Sequence, residues 1–304
     1  MAARAAAEPA SATSHVVRPA VAGRGLARLW RISPLMVVGG TILLLVVLAC
    51  AAASALAPAD PITTVFSARL RPPLGLGGTA AHLLGTDNLG RDILSRVLFG
   101  GRISLSLATA AVVLAAVSGV ALGLLSGYAG GAIDDAIMRV ADIQLSFPVI
   151  MLAIAIIAVV GTSELAIVGV LALSGWVLYA RTLRASLLSI RQVEYVEAAR
   201  ALGAGGLRIV VRHILPNTLA PILVIASAQF ATMVLLEAGL SFLGLGVQAP
   251  RPSWGNMLAE GRDYLSNAWW LATVPGLAIS LVVLGANLFG DGLRDVLDPR
   301  LRQR

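Results

Sequence analysis

Residues 192–216, QVEYVEAARALGAGGLRIVVRHILP, hold the densest mixture of charged and glycine residues between two apolar runs. Read as a helix, Tyr195, Ala198, Ala199 and Leu202 recur at i, i+3, i+4 and i+7 and make a small apolar face. Glu194, Glu197 and Arg200 follow at steps of three on a neighbouring face. Gly203, Gly205 and Gly206 then end the helix, because glycine enters left-handed turns without steric cost. A second helix carries Leu207, Val210, Val211 and Ile214 on one face and Arg208 and Arg212 on another, and Pro216 is expected to mark a turn into the next apolar run. The chemistry on offer is non-covalent. A helix–turn–helix too polar for a bilayer, with an apolar side on each helix, is built to dock against another surface.

Other reactive residue types are dispersed. His15, His82 and His213 lie far apart, and Asp134–Asp135 reads as a solvated loop. Asp87/Arg91 and Asp92/Arg96 are each four apart, a spacing that allows partial neutralisation on a helix. No Ser/His/Asp or paired-carboxylate arrangement indicates a hydrolase. The chain has no lysine, so all 23 basic residues are arginines and the phosphate-binding GxxxxGK[ST] loop cannot be present.

The elements that must position the docking segment are membrane spans. Of 304 residues, 58% are hydrophobic and only 13% charged, with a mean hydropathy of +0.86. A soluble domain of this length needs more charge to wet its surface. Crossing the hydrocarbon core takes ~20 mostly apolar helical residues. Six stretches are predicted to do so, at about 35–57, 103–127, 140–160, 165–180, 218–239 and 269–289. The expected fold class is an all-α membrane protein. Its divisions are a disordered tail (1–34), a first span with an outer segment (35–101), a core of five spans (102–291) containing the docking segment, and a charged tail (292–304). Within the outer segment, 91–99 is expected to lie along the membrane surface, with Ile93, Leu94, Val97 and Leu98 on one face. The run ending at Ala55-Leu56-Ala57 is longer than the apolar region of a signal peptide, and reads as a retained anchor.

Orientation follows from the arginines. With the N-terminus inside, sixteen fall on the inner side and seven on the outer, which puts both termini in the cytoplasm. Arginines placed between apolar runs favour topology and lipid-headgroup roles over nucleic acid. Cys50, the single cysteine, lies in an apolar run and can form no internal disulfide. Small residues dominate the second and third spans and should let helices approach closely. Asp142 and Arg139 fall near the inner end of the third span, and Glu164 and Glu237 near outer ends; none forms the mid-membrane pair a proton or sodium relay needs. Gln229 and Asn287 either line a pathway or hydrogen-bond between helices. Trp269 and Trp270 are expected as interfacial anchors, and Trp176 and Tyr179 as packing.

With those residues in view, the chain resembles a known family. Glu197-Ala198-Ala199, Gly203 and then Leu215-Pro216 match the EAA signature of permease subunits in bacterial ABC importers, with His213 a departure from the isoleucine usual there. HLLGTDNLGRDILSRVLFGGRISL (82–105), EAGLSFLGLG (237–246), PSWGNML (252–258) and GDGLRDVLDPRLR (290–302) look like the C-type permease of dipeptide and oligopeptide importers. The resemblance covers roughly residue 30 to the C-terminus.

The resemblance implies a type I importer permease fold in the bacterial inner membrane, with the segment 192–216 seated in a cytoplasmic ATPase. The implied partners are a second, B-type permease, two ATP-binding subunits and an extracytoplasmic solute-binding protein, besides membrane lipid. Mg-ATP would sit on the partner ATPases and no cofactor on this chain. Glu197 would pair with a basic residue of the partner and Arg200 with an acidic one; Ala198 and Ala199 would allow close approach and Gly203 would set the inter-helix angle. A plain intrahelical Glu197–Arg200 pair is the other reading of those two side chains. An ion-coupled carrier and a membrane scaffold stand as alternative functions.

Overall fold

Ser33 opens the first helix by accepting a hydrogen bond from the Met36 amide at 3.3 Å, with Pro34 in the first turn where its missing N–H costs nothing. The structure is a computed structural model and describes residues 33–190, 193 and 205–297. Helix α1 runs Pro34–Ala51 and continues after Ala52 as a short turn, Ala53–Leu56. Then follow α2 (Ile93–Ala129), α3 (Gly131–Leu145), α4 (Val149–Val160) and α5 (Glu164–Ile190). Helix α6 (Leu215–Phe242) is preceded without interruption by one α-turn, Gly206–Ile209, and one wide π-type turn, Val210–Ile214. Helices α7 (Trp254–Arg262) and α8 (Trp270–Leu297) complete the chain. No strand occurs among the described residues.

Five of these helices are long and apolar enough to cross a membrane, and the bent pair α3–α4 makes a sixth crossing if counted as one. The ends of α1 and α8 meet: a Cβ on Gly292 would lie 2.3 Å from the Met36 amide nitrogen and 2.5 Å from Ser33 Oγ. The first and last spans therefore start and finish on the same side of the bundle.

Close backbone approach holds the spans together. A Cβ on Gly119 of α2 would lie 2.4 Å from the Trp176 carbonyl oxygen of α5, and one on Gly123 would lie 2.5 Å from that of Ala180. In lipid, where apolar attraction between helices is weak, such contacts gain dispersion that larger residues would forbid. Buried Ala108, Ala111 and Ala115 extend this small-residue stripe along α2. Trp176 and Tyr179 are buried in the packing, as the sequence suggests.

Several expectations need correction. Residues 91–99 do not form a separate surface helix; from Ile93 they are the first turns of α2, capped by Asp92 and carrying buried Ile93, Ser95, Arg96 and Leu98. The stretch expected as one crossing at 140–160 is two helices that meet at 94°, because Pro148 has no N–H to continue a helix and excludes helical geometry at Phe147. The fourth span does not stop at 180 but runs to Ile190, since Arg181 and Arg184 find acidic partners on α3. No turn occurs at Pro216: the π-type turn before it, in which the Leu215 amide bonds the Val210 carbonyl, takes the strain that the proline ring would cause in a regular helix. Trp270 is not an interfacial anchor; it is buried and its indole donates to the Thr86 carbonyl at 3.1 Å, whereas Trp269 is exposed. Residues 1–32 of the expected tail and 298–304 of the other lie outside the described residues.

Candidate functional site

Of the residues singled out for docking, Glu197, Ala198, Ala199, Arg200 and Gly203 lie outside the described residues; Leu215 and Pro216 are described, at the start of α6. What the structure describes is the later part of that segment, from Gly205 on, and the surface it packs against. Ile209, Val210 and Ile214 are buried against Leu187 of α5, with Leu124 of α2 and Ile190 packed beside them. Arg208 and Arg212 are exposed on the other side. Of the apolar face expected for the second helix, Val210 and Ile214 are buried, joined by Ile209, which was not expected there, and the expected polar residues Arg208 and Arg212 are exposed. Gly206 lies so close to Tyr128 that a Cβ would be 2.2 Å from the phenol oxygen. A small cleft of about 90 Å³ remains between Gly127, Tyr128, Leu187 and the incoming turn.

Next to this surface is a polar clamp that sequence reasoning missed. Arg184 of α5 donates to both carboxylate oxygens of Asp134 on α3, Nε and Nη2 each at 2.6 Å, a fork geometry that fixes orientation as well as charge. Ser126 of α2 donates to the same carboxylate. One turn further on, Arg181 pairs with Asp142. Asp134 is thus not in a solvated loop; it ties three helices together at the end of α5 that leads into the docking segment. Arginines four apart from no acid in sequence give no local sign of these partners, which lie about 40 and 50 residues upstream.

Deeper in the bundle, Gln144 bridges α3 to α5: its Oε1 accepts from the Trp176 indole at 2.6 Å and its Nε2 donates to the Leu173 carbonyl. The two candidates for the pathway separate. Gln229 is half-buried and its Nε2 lies 2.9 Å from where a Cβ on Gly175 would be, so it packs on α5. Asn287 is exposed on α8.

On the opposite side, the segment 58–92 folds onto α7 through a buried ion cluster. Asp87 accepts from Arg91 Nε at 2.6 Å and from Arg96, while Glu260 accepts from Arg91 Nη2 at 2.8 Å and from Arg96 Nη1 at 2.6 Å. The expected Asp87/Arg91 pair exists, but across a turn rather than on a helix. The expected Asp92/Arg96 pair does not: Asp92 caps α2 through the Ser95 amide at 2.8 Å and faces His82 Nδ1 at 3.0 Å. Glu237 is fully buried, with Ser241 Oγ donating to its Oε1 at 2.7 Å. Glu164 pairs with Arg251.

Comparison with known proteins fits this architecture. The profile of the family described as "Binding-protein-dependent transport system inner membrane component" matches residues 119–303. The di/tripeptide transport system permease protein DppC of Pseudomonas aeruginosa (strain UCBPP-PA14) is 45% identical over 87% of this chain and 88% of its own length. The glutathione transport system permease protein GsiD of Pectobacterium atrosepticum is 45% identical over 75% of this chain and 76% of its own. Among solved structures, a chain of the MetNI methionine ABC transporter superposes with a TM-score of 0.53 at 24% identity, covering 66% of this chain and 96% of that one, a likeness of fold. An all-helical bundle, a two-helix seat at the end of α5 and these matches lead to one conclusion: the chain belongs to the family of binding-protein-dependent transport system inner membrane components, and is a permease subunit of an ABC importer.

Proposed function

We propose that this subunit forms half of the translocation pathway for dipeptides, tripeptides or a similar small peptide. The support for peptide cargo is the pair of relatives at 45% identity, one named for di- and tripeptides and one for glutathione, itself a tripeptide. A second, B-type permease is the other half, because six crossings in one chain enclose little space. Two separate ATPase subunits supply the energy, Mg-ATP is bound there and not on this chain, and a soluble binding protein delivers cargo. Both termini face the cytoplasm, the side with sixteen of the 23 arginines.

The observation that carries the coupling reading is the buried seat of Ile209, Val210 and Ile214 on Leu187. A segment whose return strand is packed onto α5 and runs straight into α6 moves those two spans when an ATPase moves it. Glu197 and Arg200 supply charged contacts to the ATPase, Ala198 and Ala199 close approach, Gly203 the angle, and Leu215-Pro216 the entry to α6.

The test is coupling in the assembled transporter. Gly203→Pro, or deletion of Glu197-Ala198-Ala199, is expected to leave membrane insertion intact and to abolish uptake while ATP hydrolysis continues or is lost from the complex. Full uptake in either variant overturns the assignment. Orientation is read with an impermeant maleimide on Cys50→Ala protein carrying Thr79→Cys or Gly205→Cys, both at exposed positions. Labelling of position 205 in intact spheroplasts would reverse the topology.

A further inference from the structure

The bend between α3 and α4 lies beside the middle of the apolar stretch of α5. Helix α5 provides the ruler: its apolar stretch runs between Glu164 and Arg181, and Leu173 is nine residues from one and eight from the other, about 13 Å from each. Gln144, which bonds Leu173 and Trp176, is therefore held near the middle of that stretch. The chain leaves the helix immediately afterwards, at Ser146, Phe147 and Pro148.

The break strands polar backbone. The Ser146 amide bonds the Asp142 and Ile143 carbonyls and the Phe147 amide bonds that of Gln144; the Leu152 amide bonds the Pro148 carbonyl. That leaves the carbonyls of Leu145, Ser146 and Phe147 and the amides of Val149, Ile150 and Met151 without a partner among the described residues. Every residue from 145 to 151 is exposed on the surface of this subunit. In hydrocarbon each unpaired group costs several kcal/mol, so irregular backbone at this depth survives only where it is buried in protein or lines a water-filled cavity.

We infer that the break at Ser146–Pro148 lines the aqueous route of the solute, with its free carbonyls and amides hydrated or exchanging hydrogen bonds with passing amide groups. This rests on the transport reading above. A neighbouring subunit's apolar helix could cover the side chains of Phe147 and Ile150 but offers little to six backbone groups; water and a peptide offer donors and acceptors for all of them.

The test uses the assembled transporter in membrane vesicles, with Cys50→Ala and single cysteines replacing Ser146 or Phe147, and Leu45→Cys as an exposed position on α1. The probe is a charged methanethiosulfonate, which reacts with thiolate, a form favoured where water reaches the sulfur; cysteines at 146 and 147 are expected to react at least about tenfold faster than at 45. A rate no higher than at position 45, with reaction only toward an uncharged maleimide, shows lipid at the break and overturns the inference. So does reaction toward neither reagent until the partner permease is removed, which shows burial between subunits. Two positions guard against one variant failing to assemble. ATP-driven uptake by the Cys50→Ala parent is measured in the same vesicles, so failure of the transport reading is seen separately.

Discussion

Arg96 and Glu260 are 164 residues apart in sequence and are joined by two hydrogen bonds, Nη1 to Oε2 at 2.6 Å and Nη2 to Oε1 at 3.1 Å. Asp87 completes the charge balance by accepting from the same guanidinium and from Arg91. The cluster fastens the segment before α2 to α7, and its members differ in burial: the side chains of Asp87 and Arg96 are 1% and 2% exposed, that of Glu260 29%.

That difference ranks two substitutions. Asp87→Ala strands buried arginine charge and is expected to cost about 3–5 kcal/mol. Glu260→Gln keeps the shape at a partly solvated position and is expected to cost about 1–3 kcal/mol. Thermal unfolding of the purified complex reads both. Equal losses, or the reverse order, would show that Asp87 does not anchor the cluster.

Gly123→Ala is expected to destabilise the bundle by about 1–3 kcal/mol, because the added carbon meets rigid backbone of α5 and the helices must separate. Gly169→Ala is the matched control on α5: a Cβ there meets nothing within 4 Å. Melting curves of the two variants should diverge, with Gly169→Ala close to the parent.

The Asp134–Arg184 clamp joins the end of α5 to α3 beside the docking segment. Arg184→Gln is expected to lower solute taken up per ATP hydrolysed by about fivefold or more, the low end of coupling free energies between sites. The exchange Asp134→Arg with Arg184→Asp should restore part of the loss. A purely structural clamp would instead lower ATP hydrolysis and uptake together, leaving their ratio unchanged.

Gln144→Leu leaves the Trp176 indole N–H without its acceptor inside the bundle, at an expected cost of about 0.5–2 kcal/mol. Adding Trp176→Phe removes the orphaned donor, and the double variant should be no less stable than the single. A simple sum of two losses in a double-mutant cycle would deny the pair any coupling.

Five of the crossings were readable because each contains a long apolar run, and apolar length is a property of the local sequence; the third is the exception, broken at Pro148. Their ends were harder to read. Arg181 and Arg184 look like residues of a polar insertion until Asp142 and Asp134 are found facing them from another helix. The ion cluster was hidden for the same reason, since nothing near Arg96 in sequence announces Glu260. Pro148 did carry a local signal for the bend, but the apolar residues on both sides masked it. After Gly205, the burial of Val210 and Ile214 and the exposure of Arg208 and Arg212 were legible in the sequence and the burial of Ile209 was not, while the smooth passage through Pro216 depended on a wide turn that hydrophobic periodicity does not reveal.

That passage gives the importer a single shaft. From Gly206 to Phe242 the chain stays helical for 37 residues, about 55 Å, with Pro216 and Pro221 both inside it. At its far end, α7 rests directly upon it, for a Cβ on Gly255 would lie 2.4 Å from the Ala238 carbonyl oxygen. One continuous helical run, bearing a wide turn and two prolines, thus links the contact beside Tyr128 to the contact with α7.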